Sequence, residues 1–315
     1  MKTLEYTIKT AKKSQKKVLI LSDLHISKHE DAVKLKKLIS KILENIQKGK
    51  TYDAFLLDGD IYDSTNVLRN EYLRSIVLDF IRLLGSIAPT VLTTGNHDVC
   101  ALKISKNYRK GWKIDYDTFR EKFLDVVRNF EGVVLVDTGS CNLDAEYVIS
   151  IYNPSIEYML SSPENRETSM TKDRDSYEFL KCLDRDKIQI LLCHYPDVLK
   201  WLHSKGYLKN VDLAIAGHNH NGMTQFLFLE NILNAVGQKN RGIITPDMSA
   251  KLADTAKMRG MINLDDETKL YINPAFTSLA PNTGFLNHLD KFFYSGMTEI
   301  TFEPDKRIAL EKKNG

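Results

Sequence analysis

The sequence predicts an α/β protein built around a parallel sheet. Short runs of Val, Ile and Leu alternate in the first third of the chain with longer segments of helical periodicity, which is the strand–helix–strand order of βαβ units. Five apolar runs are each followed directly by a short block of Asp, Asn or His residues. Hydrophobic residues make up 43% of the 315 residues and charged residues 27%, a composition typical of a folded protein with a sizeable core.

The first third supplies three strands and two helices. The apolar run at residues 18–21 predicts a buried strand. Apolar side chains recur at helical spacing over residues 31–48, and Gly49 lies just past the end of this segment. The pattern predicts a helix. A strand, a helix and a strand are then predicted in turn at residues 54–57, 73–84 and 90–92.

The rest of the chain is predicted to add insertions and further strands. Helical spacing of Phe119, Phe123, Val126 and Val127 predicts a helical insertion at about residues 99–130. A polar stretch predicts a surface loop at about 153–176. No repeat or linker divides the chain, so residues 1–315 are predicted to form one domain, with C-terminal strands and rim loops at 221–315. The predicted strands are 133–136, 147–152, 188–193, 213–216, 224–229, 270–272 and 297–302, and a helix is predicted at 177–183.

Charge and composition narrow the classes of partner. The net charge of +3 is too small to indicate nucleic acid, and no apolar run reaches the roughly 20 residues of an integral membrane segment. The four cysteines show no paired spacing, which favours a reducing, cytoplasmic location. A group of lysines lies near the N-terminus. It is explained equally well by a solvated, frayed terminus and by a binding partner. The group consists of Lys9, Lys12, Lys13, Lys16 and Lys17.

Blocks of candidate metal ligands follow five of the predicted strands. In an open α/β sheet the carboxyl ends of the strands gather where ligands bind. Imidazole nitrogens and carboxylate oxygens without thiolate favour Mn²⁺, Fe, Zn²⁺, Ni²⁺ or Co²⁺ over Ca²⁺ or Mg²⁺. Such a set suits a two-metal hydrolytic site with ions ~3.5–4 Å apart. The blocks are Asp23-Leu24-His25, Gly59-Asp60-Ile61-Tyr62-Asp63, Gly95-Asn96-His97-Asp98, His194 and Gly217-His218-Asn219-His220.

In this order the blocks resemble the calcineurin-like metallophosphoesterase superfamily, whose pattern is DxH, GDxxD, GNH[DE], a separate His and GHxH. The last block is similar to the GHxHGGQ of a bacterial branch but has Asn221 and Met223 at two of its positions. The resemblance implies a four-layer α/β/β/α sandwich, in which two packed sheets are flanked by helices. It also implies two divalent transition-metal ions, with Mn²⁺ favoured.

The resemblance further implies a role for each residue. Asp60 would bridge the two ions. His97 would approach the substrate, Asp98 would orient His97, and Asp63 would support the site from outside the ligand shell. Arg241 is a candidate phosphate clamp, although an exposed loop arginine is an equally good interpretation. One ion would be held by Asp23, His25, Asp60 and His220, and the other by Asp60, Asn96, His194 and His218.

These residues predict a hydrolase that attacks a phosphodiester, phosphomonoester or pyrophosphate bond with metal-bound hydroxide. Its partner would be a phosphorylated small molecule or a phosphodiester. One alternative is a DNA-repair-type nuclease of the same superfamily, disfavoured by the lack of a clear basic and aromatic surface. Another is a non-catalytic metal-binding scaffold, disfavoured because every ligand position is filled and His97 is present.

Overall fold

In the computed structural model the described strands form two six-stranded sheets and a separate hairpin. The structure describes residues 2–104, 110–136, 138–155, 158, 165–218, 260–274, 276 and 296–305. The strands are β1 (Lys2–Thr10), β2 (Lys16–Leu21), β3 (Ala54–Asp58), β4 (Thr90–Thr93), β5 (Cys100–Ile104), β6 (Lys110–Ile114), β7 (Val133–Leu135), β8 (Thr138–Asn142), β9 (Tyr147–Tyr152), β10 (Ile188–Leu192), β11 (Leu213–Ala216), β12 (Gly260–Asn263), β13 (Lys269–Ile272) and β14 (Gly296–Pro304).

Each sheet has a parallel centre. The first sheet has the order β1-β14-β2-β3-β4-β7 and the second the order β12-β13-β11-β10-β9-β8. Strands β2, β3, β4 and β7 run parallel to one another, as do β13, β11, β10 and β9. The ends of β2, β3 and β4 therefore meet at one edge of the first sheet, and those of β10 and β11 meet at one edge of the second.

Helices connect the parallel strands. Among the described residues, none of them is both long and apolar enough to cross a membrane. Short 3₁₀ helices lie at Thr65–Arg69 and Glu178–Cys182, and a π-helical turn at Arg120–Leu124. The α-helices are α1 (His29–Gln47), α2 (Glu71–Ile87), α3 (Tyr116–Phe119), α4 (Asp125–Val127), α5 (Arg166–Lys172), α6 (Arg174–Tyr177) and α7 (Pro196–Ser204).

Alternation along the central strands divides the core into layers. In β2, Val18 and Ile20 belong to the cluster between the two sheets, whereas Leu19 and Leu21 pack against α1 and α2. In β10, Leu191 likewise packs with α7 in the outer cluster of the second sheet. Successive side chains of a strand point to opposite faces, so strands covered on both faces read as continuous apolar runs. This arrangement confirms the predicted α/β/β/α sandwich.

Two predicted insertions have a different structure. The region 99–130, predicted to be helical, contains the β5–β6 hairpin, and the helical part of its described residues spans 116–127. The region 153–176, predicted as a surface loop, contains α5 and most of α6, with Met170 buried. The predicted strand at 224–229 lies outside the described residues.

The N-terminal segment is an ordered strand. β1 pairs in parallel with β14 along its whole length, which replaces the frayed terminus considered from the sequence. The Lys16 ammonium lies 2.6 Å from Asp144 and 3.8 Å from Asp53, and Lys9 pairs with Glu303. Acidic side chains thus already neutralise two members of the lysine group.

A buried carboxylate on β14 ties this part of the sheet together and gives a stability prediction. Glu299 is 4% exposed and accepts hydrogen bonds from the Tyr52 hydroxyl and the Lys50 ammonium, both at 2.8 Å. We expect Glu299→Gln to lower the free energy of unfolding by about 1.5–3 kcal/mol, because both donors lose a charged acceptor. Glu5 also contacts Lys50 at 2.8 Å but is exposed, so Glu5→Gln should cost less than about 1 kcal/mol. Urea unfolding of both variants tests this, and equal losses would contradict it.

Candidate metal centre

Loops from both sheets converge on one site. The loops leaving β2, β3 and β4 carry Asp23, Asp60 and His97, and those leaving β10 and β11 carry His194 and His218. The backbone N–H of His218 donates to Asp23 Oδ1 at 3.1 Å, which joins the two sheets at this edge. The site therefore lies across the carboxyl ends of both parallel cores, as the sequence predicts.

The backbone at this site is strained. Among the described residues, the non-glycine positions with positive φ are Asp23 (51°), His25 (43°), Asp60 (50°) and His218 (64°). Each is a predicted metal ligand. Left-handed backbone costs a non-glycine residue about 1–3 kcal/mol and persists only where the surroundings hold it in place. The strained backbone thus directs these four side chains into the site.

Two glycines let the loops approach the carboxylates closely. A Cβ on Gly95 would lie 2.0 Å from Asp60 Oδ1, and one on Gly217 would lie 2.5 Å from Asp23 Oδ2. Both distances are far inside van der Waals contact. Any side chain at either position would displace a ligand carboxylate, so the glycines of the third and fifth blocks are part of the site's geometry.

Asp60 lies at the centre of two groups of potential ligands. Ligand atoms of Asp60, His25 and His97 lie within 4.8 Å of one another, and so do those of Asp60, His194 and His218. Asp60 Oδ2 is 3.6 Å from His25 Nε2 and 3.1 Å from His194 Nε2. One carboxylate therefore faces imidazoles on two sides, which is the arrangement that a bridging ligand requires.

The donor atoms fit a divalent transition metal. Asp60 Oδ2 and His194 Nε2 are buried, and neither has hydrogen-bond geometry with any partner in the described part of the chain. Leaving such groups buried without compensation is costly. A cation between them would satisfy both, and a mixed set of imidazole and carboxylate ligands is one that Mn²⁺, Fe, Zn²⁺, Ni²⁺ and Co²⁺ accept.

The electrostatics of the site also favour a cation. Burial acts to lower the pKa of His194, but the Asp60 and Asp23 carboxylates outweigh it and raise that pKa well above its ordinary value. The pKa of His25 is raised for the same reason. Burial acts to raise the pKa of Asp60, yet His194 and His97 hold it well below its usual range. Positive charge between these carboxylates is therefore stabilised.

Outer hydrogen bonds fix the ring orientations. His194 Nδ1 lies 2.8 Å from the backbone carbonyl oxygen of Asp58, which can only accept. His194 Nδ1 must therefore donate, which leaves Nε2, the atom that faces Asp60, as the ligand atom. His218 Nδ1 lies 3.0 Å from Asn96 Oδ1, so these two predicted ligands of one ion are in contact.

His97 is held by Asp63. The His97 Nδ1 lies 2.8 Å from the backbone carbonyl oxygen of Asp63, and the Asp63 carboxylate is 3.9 Å from the same nitrogen and 3.7 Å from His25 Nδ1. Burial lowers the pKa of His97, and the Asp60 carboxylate opposes this. Asp63 thus lies between two histidines of the site, and its supporting role stays a prediction.

Asp98, predicted to orient His97, has a different environment. Its two oxygens accept hydrogen bonds from the backbone N–H groups of Tyr62 and Gly95, each at 3.0 Å. Burial raises the pKa of Asp98 to about 7, and the Asp60 charge adds to this while the two amides oppose it. Asp98 joins the second and third ligand loops, and orientation of His97 comes from Asp63 instead.

Removing the Asp98 carboxylate should loosen these loops. We expect Asp98→Ala to lower the free energy of unfolding of the metal-free protein by about 2–5 kcal/mol, because two buried N–H groups lose their acceptors. Asp98→Asn keeps one oxygen and should lose roughly half as much. Denaturant unfolding in the presence of chelator measures both, and the same loss in the two variants would contradict the assignment.

Two further residues of the site are not predicted from the sequence. Asp58 ends β3 with a fully buried carboxyl group, whose oxygens have no hydrogen-bond donor among the described residues, and burial raises its pKa to about 8. The Tyr195 ring centroid lies 5.4 Å from that of His194 and 5.0 Å from that of His218. The sequence feature that could have indicated Asp58 is its position at the end of an apolar run. For Tyr195 the sequence offers no such feature beyond its position next to His194.

Two of the predicted site residues, His220 and Arg241, lie outside the described residues. The other predicted positions all lie in or beside this cluster. They are Asp23, His25, Asp60, Asp63, Asn96, His97, Asp98, His194 and His218.

A family model described as calcineurin-like phosphoesterase matches residues 16–222, which contain every block of the site. The chain belongs to this family. A curated relative from Aquifex aeolicus (strain VF5), named an uncharacterized metallophosphoesterase, is 24% identical over 244 residues. The match covers 76% of this chain and 77% of the relative. The family identification made from the sequence is therefore confirmed.

Solved structures similar to this calcineurin-like phosphoesterase share little sequence with it. A dimetal phosphatase from Danio rerio is 10% identical, with a TM-score of 0.47, over 82% of this chain and 87% of that one. The phosphopantetheinyl hydrolase of Mycobacterium tuberculosis is 12% identical, with a TM-score of 0.36, over 67% of this chain and 86% of that one. The family as a whole acts on phosphorylated substrates and generally binds two divalent metals.

Proposed function

We propose that this protein hydrolyses a phosphodiester, phosphomonoester or pyrophosphate bond with the help of two divalent transition-metal ions, Mn²⁺ being favoured. The observation that carries the proposal is the position of Asp60, whose carboxylate belongs to both groups of potential ligand atoms. Bound ions would stabilise charge on the phosphoryl oxygens and activate water at neutral pH.

The two ligand sets are those that the family resemblance implies. Asp23, His25 and Asp60 would hold one ion, together with His220. Asp60, Asn96, His194 and His218 would hold the other. Hydrogen bonds from His194 to the Asp58 carbonyl and between His218 and Asn96 pre-orient the second set, so little side-chain ordering is left to occur when an ion binds.

His97 is suited to act on the substrate. Its Nδ1 faces the Asp63 carbonyl oxygen, so Nδ1 donates there and the second ring nitrogen is left for the substrate. When the ring is charged, Nε2–H can donate to a phosphoryl oxygen or protonate the leaving oxygen. Acid catalysis of this kind contributes about 10²–10⁴-fold to the rate. The Asp63 carboxylate, 3.9 Å from Nδ1, would stabilise the charged ring.

Hydrolysis by chelator-stripped protein, with and without added Mn²⁺, tests the proposal. An aryl phosphodiester and an aryl phosphomonoester should be compared side by side, because both report turnover without needing further contacts. We expect turnover only with metal, and the better substrate identifies the class of leaving group. No hydrolysis of either substrate with Mn²⁺, Fe²⁺, Zn²⁺, Ni²⁺ or Co²⁺ would overturn the proposal.

A further inference from the structure

A second cavity, called here the basic pocket, lies at the end of the second sheet opposite to the metal centre. It has a volume of about 540 Å³ and lies between the 3₁₀ helix Glu178–Cys182, the loop before β10 and the segment between α7 and β11. His194 and His218 follow the other ends of β10 and β11. Because β10 has five residues, about 16 Å of strand separates this pocket from the metal ligands. The two are therefore separate sites.

Positively charged side chains dominate the lining of the basic pocket. Among the described residues that line it, four carry a positive charge and none carries a carboxylate. The volume lies within the range of about 300–1,000 Å³ that is usual for the binding sites of small molecules. A cavity of this size and charge fits a small anionic ligand. The four cationic residues are Lys181, Arg185, Lys205 and Lys209.

Carboxylates outside the pocket offset two of these charges. The Lys181 ammonium lies 2.9 Å from the Glu178 carboxylate, and the Lys205 ammonium lies 3.1 Å from that of Glu167. These ion pairs hold both lysines at the wall of the pocket, but they leave little net charge there. The charge available to a ligand therefore has to come from the other two cations.

Arg185 and Lys209 supply that charge. Within the part of the chain that the structure describes, neither of them forms an ion pair. The Arg185 Nε donates to Asn210 Oδ1, and Asn210 Nδ2 donates in turn to the Lys181 carbonyl oxygen at 2.9 Å. Asn210 thus fixes the guanidinium and leaves its two terminal nitrogens for another partner. Two parallel N–H donors of a guanidinium match two oxygens of a phosphate group.

Tyr207 gives the pocket a rigid wall. Its residue is 7% exposed, its hydroxyl donates to the Glu178 carboxylate at 3.0 Å, and the Lys181 ammonium lies 4.2 Å from the ring centroid. The ring and the lysine are thus held in place before any ligand arrives. Side chains that are already ordered lose less entropy on binding, so this wall favours a ligand that packs against it.

We propose that the basic pocket binds a small organic phosphate, whose phosphate group lies between Arg185 and Lys209. A phosphate monoester carries a charge of about −2 at neutral pH, which matches the two cations without an ion pair. An inorganic phosphate would leave most of the 540 Å³ unfilled, and a sugar or nucleoside would fill the rest against Tyr207. This inference is independent of the proposed hydrolysis at the metal centre.

Isothermal titration calorimetry of the metal-free full chain tests the proposal. Without metal the candidate metal centre presents the Asp23 and Asp60 carboxylates, which disfavour an anion there. The probes are inorganic phosphate, ribose 5-phosphate and adenosine 5′-monophosphate, with ribose and adenosine as uncharged counterparts. We expect both organic phosphates to bind more tightly than inorganic phosphate, and we expect no binding of ribose or adenosine.

Three variants place the binding in the basic pocket. Arg185→Gln/Lys209→Gln should weaken binding of the organic phosphates at least about tenfold, because hydrogen bonds to a charged group are lost. Arg82→Gln/Lys37→Gln is the matched control, which removes the same charge from exposed positions on α2 and α1 and should bind normally. Asn210→Ala keeps every charge but frees the guanidinium, so it should also weaken binding.

Equal affinities of the pocket variant and its matched control would overturn the proposal, as would no binding by the unmodified chain. Binding of ribose or adenosine as tight as that of their phosphates would also overturn it. Unaltered binding by Asn210→Ala would indicate diffuse attraction between charges and would contradict a built site. Inorganic phosphate that binds as tightly as the organic phosphates would overturn the assignment of an organic ligand. Hydrolysis with Mn²⁺ is measured separately, so none of these results decides the function of the metal centre.

Discussion

Replacing Asp60 by alanine should remove both metal ions and with them the activity. The Asp60 carboxylate faces His25 on one side and His194 on the other, so both ligand sets lose their shared member. Loss of an outer partner of a metal ligand typically costs about 10–100-fold in affinity, and loss of a bridging ligand should cost more at both positions. We expect less than one bound ion per chain and turnover at the background rate.

Metal content after dialysis against micromolar Mn²⁺, together with hydrolysis of the aryl phosphodiester, measures this. Asp79→Ala is the matched control, because Asp79 is an exposed aspartate on α2 that forms an ion pair with Arg82. That variant should bind two ions per chain and turn over normally. Retention of one ion by Asp60→Ala would show that the carboxylate serves a single position, and full activity would remove Asp60 from the mechanism.

The second large effect is expected for His97→Ala, which should retain both ions while kcat falls by about 10²–10⁴-fold. The reason is that His97 is held by Asp63 at Nδ1 and would offer its other nitrogen to the substrate. One of the His97 ring nitrogens also lies within 4.8 Å of ligand atoms of His25 and Asp60. Metal content therefore has to be measured beside kcat.

His203→Ala is the control for this experiment, since His203 lies near the end of α7 and pairs with Asp265 after β12. It should leave metal content and kcat unaltered. If His97→Ala loses one ion, His97 is a ligand and its assignment to the substrate is wrong. A loss of kcat that added imidazole restores would support the proton-donor role.

Strands covered on both faces were the most predictable part of the fold. The expected bounds 147–152 and 213–216 coincide with those of β9 and β11. Each is a run of apolar residues, with Ser150 of β9 as the one exception, and each is followed by a polar residue or block. The hairpin was not predicted, since its five-residue alternation stands beside a stronger helical pattern at Phe119 and Phe123. β1 was not predicted either, because an edge strand with polar residues at six of its nine positions resembles a solvated terminus.

The chemistry of the site was visible in the order of its blocks, whereas the contacts between blocks were not. Asp98 follows His97 directly, which suggested a pair. Its partners are backbone amides of Tyr62 and Gly95, and backbone groups leave no residue-specific signal in a sequence. Asp58 was missed because its burial beside the cluster depends on two sheets meeting at one edge.

The strained backbone at Asp23, His25, Asp60 and His218 links the folding of this protein to its supply of metal. Four left-handed residues and a group of buried carboxylates lower the stability of the metal-free chain, at about 1–3 kcal/mol for each strained residue. An ion that binds only the folded state raises the free energy of unfolding in proportion to the logarithm of its free concentration. The thermal midpoint should therefore rise with each tenfold increase in Mn²⁺.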